Sequence, residues 1–331
     1  MQILSLACWN YDRCEPLIDG RVAIDGVQLQ PNVIYPTEIF ARAFTEASFD
    51  ICELSASSYV MQVAQGQCEY AAIPVFVSRA FRHGGFYVRA DAGIASPKDL
   101  EGRVIGVPEY QMTMALWARG ILQDDYGVDC RTFKTRTGGT NKAGRKERLP
   151  LVLPDDMDVQ PIDDAETLND LMLAGALDAM ISPMTPQAFT DGDLRIRRLF
   201  ADPTAEERAY FQRAGLFPIM HVIGIRRRLV DANPKLAVDV FKAFVAARRI
   251  AMDRLEETAT ASANRLHLPW VAAEWEATRA LMGNDYWPYG VAENVADLEA
   301  LCRYSFEQHL APRHLDVGEL FVPATVDLPG R

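Results

Sequence analysis

Apolar residues recur along this chain with two different periods. Residues 3–8, 27–33, 49–54, 72–77 and 85–89 are short apolar runs of strand length, and residues 15–17, 37–44 and 59–65 between them carry helical spacing. Thr37 stands where the second of these helices needs a cap, and Ser55, Ser57 and Ser58 are placed to cap the third. Strand and helix in alternation predict an α/β sheet covered by helices. The rhythm continues with a strand at 104–107 and a helix at 113–126, whose Met114, Trp117, Ala118, Ile121 and Leu122 share one face and whose stop is Gly127. A polar, glycine-rich loop at 138–147 precedes a helix at 166–173, a strand at 178–182 and a long apolar strand at 217–225. Asn233 and Pro234 then open a helix that runs to about residue 257, and the rest is mostly helical up to Phe306.

A chain of 331 residues exceeds the usual size of one compact core, so two domains are expected. Its formal net charge of −11 argues against nucleic acid and against an anionic membrane as partners. No apolar run approaches the ~20 residues of a bilayer span. The amino terminus has neither a basic n-region nor a small-residue cleavage site, which predicts a cytoplasmic protein. None of the six cysteines forms a CxxC pair, in keeping with reduced, buried thiols. A homo-oligomer is compatible with these totals.

An acidic protein that binds an anion must build a local basic pocket, and Arg13, Arg79, Arg82, Arg145 and Arg148 are candidates for it. In the run Ser78-Arg79-Ala80-Phe81-Arg82-His83, two forked guanidinium groups lie beside a histidine at the end of an apolar strand, a pattern suited to a carboxylate-bearing ligand. Pro108-Glu109-Tyr110-Gln111-Met112-Thr113 joins a strand to a helix start, which favours the same charge. Each reading has a plainer alternative. Arg79 and Arg82 also fit a solvated surface, and His83 fits either acid–base work or a structural histidine. His221 sits inside an apolar strand and reads more readily as a core residue. Glu53 and Glu109 interrupt apolar surroundings at strand ends. These histidines and carboxylates are also possible metal ligands, but no HxH or HExxH spacing demands a metal. No organic cofactor is expected, and a divalent metal is left open. The serines lack a GxSxG elbow, and Gly138, Gly139 and Gly144 lack the GK[ST] ending of a phosphate loop.

Longer motifs support a family resemblance. Asp99-Leu100-Glu101-Gly102-Arg103-Val104-Ile105-Gly106-Val107 and Gly175-Ala176-Leu177-Asp178-Ala179 are similar to the type II periplasmic-binding-protein fold. Tyr11-Asp12-Arg13, Phe49-Asp50-Ile51-Cys52-Glu53-Leu54-Ser55, the run from Ser78 to His83, the junction from Pro108 to Thr113, and Thr137-Gly138-Gly139 are more specific. Together they resemble the 4,5-dihydroxyphthalate decarboxylase family, over nearly the whole chain.

The resemblance implies two α/β lobes with a ligand cleft between them, lobe one from residues 1–107 plus 220–331 and lobe two from 108–219. It implies a non-oxidative carboxy-lyase whose partner is a small aromatic carboxylate. Arg13, Glu53, Ser55, Arg79, Arg82, His83, Glu109, Tyr110, Gln111 and Thr113 all follow predicted strands, where open α/β sheets bind ligands. In this reading His83, Glu53 and Glu109 are catalytic, with His83 handling the proton. Arg13, Ser55, Arg79, Arg82, Tyr110, Gln111, Thr113 and His221 bind substrate. Trp287, Tyr289 and Asn294 either cover the ring or pack helices. The rival readings are a solute-binding protein and a cytosolic sensor for an aromatic acid.

Overall fold

The computed structural model describes all 331 residues. Its strands are β1 (Gln2–Cys8), β2 (Val27–Val33), β3 (Ile51–Ser55), β4 (Tyr70–Arg79), β5 (Phe86–Arg89), β6 (Val104–Val107), β7 (Lys134–Thr137), β8 (Val159–Pro161), β9 (Ala179–Ile181), β10 (Ile196–Arg198) and β11 (Ile219–Arg226). The chain forms two compact units. Unit 1 comprises Met1–Arg79, Ile219–Glu299 and Leu315–Arg331, and unit 2 comprises Ala80–Pro218 and Ala300–His314.

Unit 1 is a five-stranded sheet in the order β2-β1-β3-β11-β4. β1 runs parallel to β2 and β3, and β11 runs antiparallel to β3 and β4. All five residues of β3 are buried, and β4 is buried along nearly its whole length, as in strands covered on both faces. The pairing of β11 with β4 slips on either side of His221, a bulge-type irregularity that re-aims a side chain. The helix Pro234–Thr260 carries Leu236, Val240, Phe241 and Phe244 into this core.

Unit 2 is a six-stranded sheet in the order β10-β5-β9-β6-β7-β8. β5 is antiparallel to β10 and β9, and β6 is parallel to β9 and β7. One face packs Phe86, Val88, Ile105 and Val107 against Met114, Ala118 and Leu122 of the helix Thr113–Tyr126. The other packs Tyr87 and Met180 against Leu168 and Met172.

The first crossing between units therefore lies at 79/80, not at 107. β5 and β6 both pair with β9, a strand about a hundred residues further on, and local apolar pattern cannot say which strands will pair. Residues 300–314 also belong to unit 2, because Tyr304 packs edge-on to Trp117 and Gln308 accepts from Arg119. Three short strands escape the pattern reading. β7, β8 and β10 (KTRT, VQP and IRR) have too few apolar residues to show a period.

The helix Thr113–Tyr126 ends at Gly127 in the left-handed conformation that glycine adopts without steric cost. Within it, Gly120 is where the Tyr304 ring seats: a Cβ there would lie 2.4 Å from ring carbons. Gly120→Ala should therefore lower stability by about 1–3 kcal/mol through overpacking, although alanine is the better helix former by about 1 kcal/mol. A urea titration checks this, and an unchanged or raised midpoint would mean that the ring moves aside freely.

Candidate active site

A carboxylate in the middle of a fully buried strand needs partners, because an unpaired buried charge is costly. Glu53 on β3 has no solvent exposure and three donors around it. The Trp9 backbone N–H donates to Oε2 at 3.0 Å, and the Tyr11 hydroxyl donates to Oε1 at 2.7 Å. His221 Nδ1 lies 2.5 Å from the same Oε1. Cross-strand register places His221 opposite Ser55 and Ser78, and Phe40 meets its ring edge-on at 4.8 Å. A carboxylate at Nδ1 keeps a proton there and makes Nε2 the nitrogen for chemistry. Burial, then the Glu53 charge, pushes the Tyr11 hydroxyl far up, so Tyr11 stays a neutral donor. Tyr11, Glu53 and His221 thus form a prepared acid–base group within unit 1.

Arg13 lies beside this group. Its guanidinium is sandwiched between the rings of Tyr11 and Trp287, at 4.4 and 4.2 Å, and Nε donates to the Val77 carbonyl at 2.8 Å. Trp287 Nε1 donates to the Phe76 carbonyl at 2.8 Å, which ties this stack to β4. Ser55 is the N-cap residue of the helix Ala56–Ala64, yet its side chain caps no backbone N–H. It accepts instead from the Ser58 hydroxyl at 3.4 Å.

Arg79 is not a carboxylate clamp. Its side chain is 1% exposed and is bound to Asp297 at 2.7 Å and to Asn294 at 2.8 Å. Asn294 is itself tied to the carbonyls of Pro288 and Gly290. Arg79 therefore fastens the carboxy-terminal segment to β4, and Asn294 serves packing rather than ring contact.

In unit 2 the strand-to-helix junction after β6 folds against the polar loop. Glu109 Oε1 accepts from Arg145 at 2.6 Å and from Arg148 at 3.2 Å, while its buried Oε2 has no partner. Glu109 is thus an anchor for two guanidinium groups rather than a free base. Gln111 Nε2 donates to Glu147 and to the Leu149 carbonyl, and Tyr110 N–H donates to Glu147 at 2.5 Å. The Tyr110 ring lies over Arg119, and its hydroxyl meets the Gln308 carbonyl at 3.4 Å. Thr113 is buried as the first residue of its helix. These residues shape the loop, and Arg145 is the more exposed of the two guanidinium groups on Glu109.

Arg82 and His83 lie elsewhere in unit 2, against the helix Pro203–Ala214. Burial lowers the Arg82 guanidinium to about 10, with Glu207 opposing the shift. His83 has no exposed surface, and Phe200, Tyr210 and Tyr126 lie around its ring. Burial, partly offset by Glu206 and Asp125, lowers its pKa to about 4. At neutral pH it is an uncharged, sealed imidazole, which does not suit the proton role expected of it.

No family model matches the chain. A protein of Comamonas testosteroni named 4,5-dihydroxyphthalate decarboxylase is 42% identical over 324 residues, covering 98% of this chain and 97% of the relative. The chain belongs to the 4,5-dihydroxyphthalate decarboxylase family. A Pseudomonas putida protein of the same name is 46% identical over 200 residues, covering 60% of this chain and 78% of its own length. The solved structure of the periplasmic aliphatic sulphonate binding protein SsuA from Escherichia coli has a TM-score of 0.55 at 12% identity, covering 99% of this chain and 100% of that one. Its likeness shows the fold, the type II periplasmic-binding-protein architecture. No helix of this family member is long and apolar enough to cross a membrane.

Sequence reasoning put Glu53 at a strand end, whereas it is the central residue of β3, and missed its union with Tyr11 and His221, which joins three distant segments. It also missed Asp297 as the partner of Arg79. A lone arginine at the end of a buried strand was the available signal, since such a charge must find a carboxylate. Arg79→Ala should cost about 3–5 kcal/mol, the usual effect of leaving one member of a buried ion pair uncompensated. Chemical denaturation reads this directly, and a loss below 1 kcal/mol would return Arg79 to the candidates for ligand binding.

Proposed function

We propose that this chain decarboxylates 4,5-dihydroxyphthalate to protocatechuate and carbon dioxide, with the Tyr11–Glu53–His221 group of unit 1 moving the proton. The observation that carries the reading is the buried Glu53 carboxylate at His221 Nδ1. Each ring hydroxyl of the substrate lies para to one carboxylate. Once that hydroxyl has given its proton to solvent, charge flows to the carboxylated carbon, and the imidazolium of His221 gives that carbon a proton. The carbon–carboxylate bond then breaks, carbon dioxide leaves, aromaticity returns as the phenolate, and the phenolate takes its proton back from solvent. One proton is consumed per carbon dioxide, and His221 regains it from solvent. Glu53 stabilises the imidazolium, and Tyr11 and the Trp9 N–H hold Glu53 in place.

Carboxylate recognition is better assigned to Arg13 than to Arg79. Arg13 belongs to the same unit as the Tyr11–Glu53–His221 group, and its guanidinium is held over the rings of Tyr11 and Trp287 with Nε on the Val77 carbonyl. A cytoplasmic setting accords with six free cysteines, five of them buried.

With 4,5-dihydroxyphthalate as substrate and carbon dioxide release as readout, His221→Asn should lower kcat by about 10²–10⁴ with little change in KM, the range for loss of a positioned acid. Glu53→Gln should fall in the same range, and Tyr11→Phe should lose less. Wild-type turnover in His221→Asn would remove the assignment.

Arg13→Ala should show the opposite split. Losing a charged contact worth about 1.5–3 kcal/mol raises KM roughly ten- to a hundredfold while kcat changes less. An unaltered KM would exclude Arg13 from carboxylate binding.

A further inference from the structure

His83 poses a question that the decarboxylation chemistry does not answer. Neither Nδ1 nor Nε2 has a hydrogen-bond partner within the chain, although the ring is wholly buried. A buried polar atom without a partner costs about 1–3 kcal/mol, so such atoms call for a partner from outside the chain. A ring nitrogen of His83, a carboxylate oxygen of Asp125 and one of Glu206 all lie within 4.8 Å of one another. They come from three elements of unit 2: the turn His83–Gly85, the end of the helix Thr113–Tyr126 and the start of the helix Pro203–Ala214.

We propose that His83, Asp125 and Glu206 bind a divalent transition-metal ion that ties these three elements together. One neutral imidazole and two carboxylates make a donor set suited to Zn²⁺, Co²⁺ or Mn²⁺ and poorly suited to Mg²⁺, which favours an all-oxygen shell. Ligand atoms about 2.1 Å from one ion mostly lie about 3–4 Å apart, so donors at the 4.8 Å limit close by about 1–2 Å when the ion binds.

The neighbouring charges leave room for a cation. Arg213 binds Asp125 through Nε at 3.1 Å and Nη2 at 2.5 Å, and reaches Glu206 Oε1 at 3.0 Å. The Tyr126 hydroxyl donates to the same Oε1 at 2.7 Å. Arg213 balances only one of the two carboxylates, and a carboxylate oxygen has a second lone pair for a metal. Glu207 faces the same turn, accepts from the Gly84 N–H at 3.3 Å, and is offset by the Arg82 charge. The aromatic wall of Phe200, Tyr210 and Tyr126 shields the imidazole face, as the apolar surround of a metal site does.

The test uses the full chain, stripped with a chelator and titrated with Zn²⁺, Co²⁺, Mn²⁺ and Mg²⁺. Metal content and the thermal unfolding midpoint are the readouts, with the visible absorption of Co²⁺ as a third. One equivalent of Zn²⁺ or Co²⁺ should bind and raise the midpoint, and Mg²⁺ should not. His83→Gln and Glu206→Gln should each weaken binding by at least about tenfold. Glu206→Gln retains the buried imidazole and keeps the test decisive if His83→Gln fails to fold. Absence of stoichiometric binding would overturn the proposal, as would binding of wild-type strength in Glu206→Gln.

Discussion

The buried carboxylate of Glu53 is the constraint around which unit 1 is arranged. A charge with no solvent exposure persists only if donors replace its water, and here the backbone N–H of Trp9, the hydroxyl of Tyr11 and the ring of His221 do so. That requirement fixes the path of the chain after β1, the position of β11 beside β3 and the orientation of the imidazole. The same electrostatic demand that makes Glu53 costly to fold makes it useful, since a fixed negative charge at Nδ1 stabilises a proton on the ring.

Arginine plays several roles here, and surroundings rather than residue type separate them. Arg79 is sealed on Asp297 and acts as a fastener. Arg13 is held between two aromatic rings with its Nε on a backbone carbonyl, a rigid presentation of positive charge. Arg145 leans on Glu109 from a polar loop whose path depends on Gly139, where a Cβ would meet the Lys142 carbonyl at 1.7 Å. An overall acidic chain thus carries localised positive charge at a few built positions.

The two histidines show how burial divides similar side chains. His83 is sealed among aromatic rings and driven towards its neutral form, so one ring nitrogen keeps a lone pair. His221 is partly open, and its Nδ1 meets the Glu53 carboxylate. Neighbouring Arg82 and Arg79 made His83 the more conspicuous of the two in sequence, but proximity along the chain says nothing of the dielectric in which a ring sits.

Much of the fold was legible because it rests on local period and local caps. The strand at 104–107 and the helix at 113–126 with its terminal Gly127 appear where apolar spacing and glycine place them, and Pro234 opens the long helix as its fixed backbone angle favours. Family membership was legible too, since runs such as Phe49 to Ser55 carry it in order along the chain. What sequence could not decide was pairing at a distance. That β5 and β6 join β9, that the first crossing falls at 79/80, that Asp297 meets Arg79 and that Tyr11, Glu53 and His221 converge all depend on contacts between segments far apart in sequence. Such contacts are chosen by the joint burial of apolar faces and the mutual satisfaction of buried charges, and those energies exist only once the tertiary structure has formed.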